Sequence, residues 1–331
     1  MLLTAFLLAV AVSAAELTVT TNTGRFVGGL NDTYTDPPVG NKRWTAPEPV
    51  DNSSTLYEST TFDPACSQYV STFPTAWWLN ITGNLIVNYG EALNAGLVAQ
   101  NSVEDCFSLA IWTPADATAE SRLPVMIFTT GGGDQTVWRD QHSHSDAGQL
   151  GYYRVNILSY PNARGLNGSS NFAIHDQRAA VEWVSRNIEA FGGDPDQLTL
   201  WGQSAGAGLT DQYLFAWPTD PIVRASVSSS GVAVGRASNQ DYSGSNFTLV
   251  AEAMGCDFED AALELQSDDK FIFNNSQYIS KYENGQIARI PKIVGTTARE
   301  SAPTRWTTIP PAHPKTSVLR DEAGLATYRY Q

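Results

Sequence analysis

The run from Gln197 to Ala216, QLTLWGQSAGAGLTDQYLFA, changes its period within five residues. QLTLW reads as a buried strand, and the chain from Ser204 onward reads as a helix. Between them stands Gly202-Gln203-Ser204-Ala205-Gly206, a G-x-S-x-G pattern. Two glycines permit the sharp, strained turn that lifts a serine oxygen clear of a sheet, and the helix that follows aims free N–H groups at any developing negative charge. Ser204 is therefore the candidate nucleophile. The same pentapeptide without a strand before it and a helix after it would be close to chance, and a tight structural turn is the plain alternative.

The rest of the chain is organised around the same alternation. ELTVTTNTGRFVGGLNDTY, near the N-terminus, has the alternating β-branched pattern of an antiparallel hairpin, and the prolines of TDPPVGNKRWTAPEPV mark an extended connection. FSLAIWTP, LPVMIFTTGGG and YYRVNILSY read as strands. HDQRAAVEWVSRNIEAFGG reads as a helix, with Ala180, Val184, Ile188 and Phe191 at three- and four-residue spacing and glycines at its stop. ASVSSSG and PKIVGTT repeat the strand-to-turn theme. Strands alternating with helices predict a largely parallel central sheet of an α/β fold, preceded by an antiparallel hairpin, with functional groups at the carboxyl ends of the strands. Neither an internal repeat nor a low-complexity tract interrupts it.

Composition narrows the partners. With 331 residues, 42% hydrophobic and 16% charged, the chain is long enough for one large α/β domain, expected over residues 16–331. Its formal net charge of −14 repels phosphate backbones and anionic lipid, so nucleic acid is not an expected partner. Residues 1–15, MLLTAFLLAVAVSAA, are too short to span a bilayer and end in small residues, which predicts a secretory signal peptide, an extracellular protein and no stable membrane anchor. Six N-x-[ST] sequons fit that route, at Asn31, Asn52, Asn80, Asn167, Asn246 and Asn274. In an oxidising compartment Cys66 and Cys106 could close a loop, which leaves Cys256 over.

Gly131-Gly132-Gly133 directly follow the apolar strand VMIFTT, where their N–H groups can complete an oxyanion hole with that of Ala205; a flexible loop is the alternative. VEDCFSLAIWTP, GGG, HDQRAAVEWVSRNIEAFGGDPDQLTLWGQSAGA and IPKIVGTTARES occur in the order in which type B carboxylesterases, the cholinesterase and lipase-like branch of the α/β-hydrolases, carry their signatures. From Asp176 to Ala207 the chain resembles that family nearly position for position, with weaker similarity from about residue 17 to Ser301. The resemblance implies hydrolysis of small carboxylic esters without metal or organic cofactor. It makes Ser204 the nucleophile, Gly132, Gly133 and Ala205 the oxyanion hole, and Glu300 the triad acid. It also implies a Cys66–Cys106 disulfide whose loop forms a lid, here carrying Trp77 and Trp78.

One part of the triad has no match. The family's order is serine, acid, histidine. The histidine lies on the order of a hundred residues past the acid, before a glycine. Past Glu300 this chain has only His313, between prolines in TTIPPAHPKTS, a stiff extended setting. SVLRDEAGLATYRYQ resembles the helix and strand shortly before the family's histidine loop, so the C-terminal part is read as shortened and the sheet as incomplete at that edge. His175 stands where the family has an apolar residue, and a structural role is expected of it. His142 and His144 form an H-x-H in a polar stretch, a weak metal signal without further ligands. Thr130, Asp134 and an unpartnered Cys256 are further departures, and Gln203 in place of Glu is a milder one. The expected activity is an impaired ester hydrolase. A non-catalytic binding relative and a fragment of a complete esterase stand as alternatives.

Overall fold

The computed structural model describes residues 18–28, 34–35, 43–49, 52–59, 66–67, 106–133, 148–150, 153–161, 171–234, 250–255, 268–295, 320, 322–325 and 327–330. Its elements, in chain order, are β1 (Thr18–Thr20), β2 (Arg25–Val27), β3 (Tyr34–Thr35), β4 (Leu56–Glu58), β5 (Leu109–Ala110), β6 (Leu123–Thr129), β7 (Gly148–Leu150), α1 (Asn156–Ser159), α2 (Phe172–Asn187), β8 (Gly193–Gln203), α3 (Ala205–Ala216), β9 (Ala225–Ser229), α4 (Asn275–Glu283), β10 (Lys292–Gly295) and β11 (Thr327–Tyr330).

Strands β1 and β2 form the expected hairpin, turned at Thr21–Gly24, and β4 adds to it in parallel. The remaining strands make one eight-stranded sheet in the order β11-β10-β9-β8-β6-β7-β5-β3. Every pairing from β7 through β6, β8, β9 and β10 to β11 is parallel, and only the β7–β5–β3 edge is antiparallel. At the edge expected to be incomplete, β11 pairs with β10 over four residues, from Lys292↔Thr327 to Gly295↔Tyr330.

A two-residue period sorts the central strands. Ile127 and Thr129, Leu198, Leu200 and Gly202, Ser226 and Ser228, and Lys292 and Val294 point to one buried face. The opposite face carries Met126 and Ile293, 38% and 39% exposed, with Phe128, Trp201 and Val227 half-buried between them. Helix α3 is buried continuously from Gly206 to Phe215. An all-round buried helix is a core element, and this one carries Thr210, Asp211 and Gln212 into the interior with its apolar residues.

Helix α2 buries Ile174, Gln177, Val181, Val184 and Ile188, a three-four-three-four stripe. Val184, Ile188 and Phe191 of the expected stripe are buried, while Ala180 is only half-buried at its margin and Val181 beside it is fully buried. The helix tightens into a 3₁₀ turn at Ile188–Phe191 and stops at Gly192, whose φ of 84° is the left-handed conformation that glycine accepts without strain.

Residues 153–160 of the segment YYRVNILSY are not a strand. β7 lies earlier, at Gly148–Leu150, and Asn156–Ser159 form a single helical turn. The cause is tertiary. Buried Arg154 donates from Nε and Nη2 to the two oxygens of Asp176 on α2, at 2.9 and 2.5 Å, and the same carboxyl accepts its backbone N–H at 3.0 Å. Nη1 donates to the Thr45 carbonyl at 2.8 Å, while the guanidinium lies 5.2 and 5.0 Å from the rings of Phe107 and Phe172. Asn156 next to it takes a φ of 52° and donates to the Ser67 carbonyl at 3.1 Å. An apolar-looking run is thus folded around one cation. The Cys66–Cys106 disulfide is formed, with Cα atoms 4.8 Å apart, and both cysteines are buried in the core.

Candidate active site

Ser204 occupies the one-residue joint between β8 and α3, with φ 55° and ψ −123°. A non-glycine residue there is strained, at a cost of roughly 1–3 kcal/mol. Strand, serine and helix are where the sequence puts them, except that Ser204 precedes the helix instead of opening it.

Close approach of backbones explains Gly202, Gly206 and Gly131. A Cβ at Gly202 would fall 2.2 Å from the Gly206 carbonyl oxygen, and one at Gly206 would fall 2.2 Å from the Thr129 carbonyl oxygen. At Gly131 a Cβ would meet the Gln203 carbonyl oxygen at 2.7 Å and Ser204 Cβ at 2.9 Å. The glycine loop after β6 therefore lies directly against the serine turn. Gly132 and Gly133 continue it with φ of 132° and 65°. The structure thus places Gly131, the first glycine of this loop, against Ser204.

Hydrogen bonds hold the turn from two sides. Ser204 donates its N–H to the Ser229 carbonyl at 2.8 Å, at the end of β9, and its own carbonyl accepts from Gly208 N–H at 3.1 Å. Ser230 in turn donates to the Gly295 carbonyl of β10 at 2.8 Å. Trp201 donates its indole N–H to Ser229 Oγ at 3.1 Å. Below the turn, Gln177 Nε2 donates to Thr129 Oγ1 at 2.9 Å and to Thr210 Oγ1 at 3.4 Å, joining α2, β6 and α3.

Two contributors escaped the sequence reading. Gly231, just past β9, lies so close that a Cβ would stand 2.2 Å from the Ser204 carbonyl oxygen. Asp211 and Lys292, both 0% exposed in their side chains, form an ion pair between α3 and β10, with Nζ donating to Oδ1. Burial pulls the Lys292 pKa down from 10.5 to about 8; Asp211 opposes that shift and nearby Arg320 adds to it. A lysine in a strand and an aspartate in a helix carry no local mark of pairing across 81 positions.

His175 sits on the outer side of α2, its ring edge-on to Phe271 with centroids 4.6 Å apart, and burial holds its pKa below the ordinary value. Glu300, His313, His142, His144, Asp134, Trp77, Trp78, Cys256 and the sequons Asn31, Asn80, Asn167 and Asn246 lie outside the described residues. Of the other two sequons, Asn52 is exposed, and Asn274 caps α4, its Oδ1 accepting from Gln277 N–H at 3.0 Å. Among the described residues no cluster of three or more His, Cys, Asp or Glu could hold a metal ion, and no helix is long and apolar enough to cross a membrane.

A mostly parallel eight-stranded sheet, with a strained serine between a central strand and the helix behind it, is the arrangement of an α/β-hydrolase. The chain belongs to the carboxylesterase family, whose profile matches residues 30–318. It is 32% identical to a chlorogenic acid esterase of Aspergillus niger, over 85% of this chain and 62% of that protein. It is 33% identical to secreted lipase 5 of Gibberella zeae, over 69% of this chain and 45% of that protein. With carboxylesterase 1C of Rattus norvegicus it shares 29%, over 70% and 42% of the two chains. The chain thus spans about two fifths to three fifths of the length of these relatives.

Proposed function

We propose that this chain carries the acylating half of a carboxylic ester hydrolase, with Ser204 as nucleophile. The observation that supports this most directly is the conformation of Ser204 itself, strained at φ 55° on a turn against which Gly131, Gly202, Gly206 and Gly231 pack without room for a Cβ. Ser204 Oγ attacks the ester carbonyl carbon, and the N–H groups of Gly132, Gly133 and Ala205 receive the oxyanion. The alcohol leaves with a proton, and water then releases the acid from the acyl-serine. Glu300 is the triad acid in this reading. The substrate is a small carboxylic ester; relatives named as an esterase and a lipase fit that class.

The chain is an impaired hydrolase. This reading rests on His313, which follows Glu300 between prolines and not before a glycine as in the family. Loss of a triad member in a serine protease still leaves about 10³–10⁴-fold acceleration over water, so weak turnover, not silence, is expected. The 1–15 leader, one domain over 16–331, six glycosylated sequons and export complete the proposal; one relative's name includes the word secreted.

The test is hydrolysis of p-nitrophenyl butyrate beside Ser204→Ala, with covalent labelling by a fluorophosphonate read by mass spectrometry. Label on Ser204 with slow turnover is the expected result. Robust turnover lost in the mutant would bring His313, His142 and His144 forward as bases. No label, with saturable ester binding, would leave a non-catalytic relative.

A further inference from the structure

Asp211 lies on α3, two helical turns from Ser204, inside a stretch where every neighbour is buried. Its two oxygens have different tasks. Oδ1 accepts from Lys292 Nζ on β10, and Oδ2 accepts from the backbone N–H of Ala233 at 2.8 Å. Ala233 is itself fully buried, two residues past Gly231, the glycine pressed on the Ser204 carbonyl. The loop of residues 231–234 is thus held at one end against the serine turn and at the other by Asp211. β10 joins the same assembly through Ser230 N–H on the Gly295 carbonyl.

We infer that Asp211 is a positioning residue for Ser204, acting through the Ala233 N–H, and that Lys292 fixes the carboxyl in the orientation this requires. The inference rests on the reading of Ser204 as nucleophile. Its logic is geometric. A loop whose Cα packs on the nucleophile's carbonyl sets how far the turn can relax, and small misplacements of a nucleophile cost rate more than binding. The ion pair is an unusual choice on stability grounds, because a buried pair is commonly replaceable by apolar groups of like volume without loss. Among the described residues, Arg320 and Tyr282 are the other ionisable groups that face this pair, and both are fully buried.

Two double variants separate positioning from packing. Asp211→Asn with Lys292→Met removes both charges but keeps an acceptor for Ala233, whereas Asp211→Leu with Lys292→Met removes the acceptor too. Fluorophosphonate labelling of Ser204 is split into limiting rate and half-saturating concentration, with melting curves on the same samples. The Asn/Met chain, which keeps an acceptor that Lys292 no longer orients, is expected a few-fold slower than the parent, and the Leu/Met chain at least about tenfold slower again in limiting rate, with half-saturation nearly unchanged. Equal limiting rates in the two would overturn the inference. Lys292→Gln against Lys292→Met makes a milder comparison should the leucine variant fail to fold: the glutamine, which still donates to Asp211, is expected to label like the parent, and no difference between the two counts against positioning. Amide exchange at Ser204 and Gly208 is followed in parallel. Absence of label on the parent chain would remove the nucleophile reading, and faster exchange confined to the acceptor-less variant would then carry the positioning role alone, while unchanged exchange would end it.

Discussion

Gly231 packs its Cα against the Ser204 carbonyl oxygen so closely that a β-carbon would stand 2.2 Å from it, with Gly208 N at 2.9 Å and Ala207 Cβ at 3.0 Å. All three neighbours belong to the serine turn or the first turn of α3, which cannot shift without moving Ser204. Gly231→Ala is therefore expected to destabilise by about 1–3 kcal/mol, the usual range for forcing volume into a packed interior. Thermal melting checks the loss, and slower fluorophosphonate labelling at a temperature where the chain remains folded checks its transmission to Ser204.

The buried Lys292 makes stability depend on pH in a stated direction. Its pKa of about 8 in the folded protein lies below the ordinary 10.5, so the native state gives up this proton before the unfolded chain does. Between roughly pH 8 and 10.5 the unfolded state holds more protons, and the contribution of this group to stability rises with pH. Lys292→Met removes it. The melting temperature of the parent relative to Lys292→Met should climb across that window; a flat difference would mean that the ammonium is not desolvated as described.

Arg154 and Asp176 pair at 2.5 Å with side chains 2% and 1% exposed. Asp176→Ala leaves a buried guanidinium facing the rings of Phe107 and Phe172 with its principal acceptor gone, and about 3–5 kcal/mol of destabilisation is expected. Urea denaturation measures it. Because Arg154 also donates to the Thr45 carbonyl, limited proteolysis within residues 43–49 should accelerate in the same variant.

Asn274 has two separable properties. Its side chain caps α4, reciprocated by Gln277 Oε1, which accepts from Asn274 N–H at 2.8 Å, and it is also the acceptor of a sequon completed by Ser276. Asn274→Ala should cost about 1 kcal/mol through the lost cap, while Asn274→Asp should cost little because the acceptor oxygen remains. Ser276→Ala, which ends the sequon and spares the Asn274 cap, should lower the mass of secreted protein by one glycan.

What the sequence made legible was local. The turn at Ser204 could be read because strand, glycines and helix are contiguous, and the glycine loop because it adjoins a strand. Gly231, Asp211 and Lys292 could not be read, since their roles arise from backbones and charges brought together from distant positions. The misreading of residues 153–160 as a strand has the same origin: Val155, Ile157 and Leu158 supply an apolar pattern, but Arg154 is drawn inward to Asp176, and Asn156 breaks the extended path. In α2 the apolar pattern located Val184, Ile188 and Phe191 but passed over Gln177, a buried polar residue that the Thr129 and Thr210 hydroxyls accommodate.

The φ of 55° at Ser204 carries a consequence for how this position is maintained. Glycine would adopt that conformation without the penalty a side chain incurs, so Ser204→Gly should raise the melting temperature while it removes the proposed nucleophile. Selection for foldability alone would drift towards glycine here. The hydroxyl-bearing side chain at 204 thus stands against the preference of the fold.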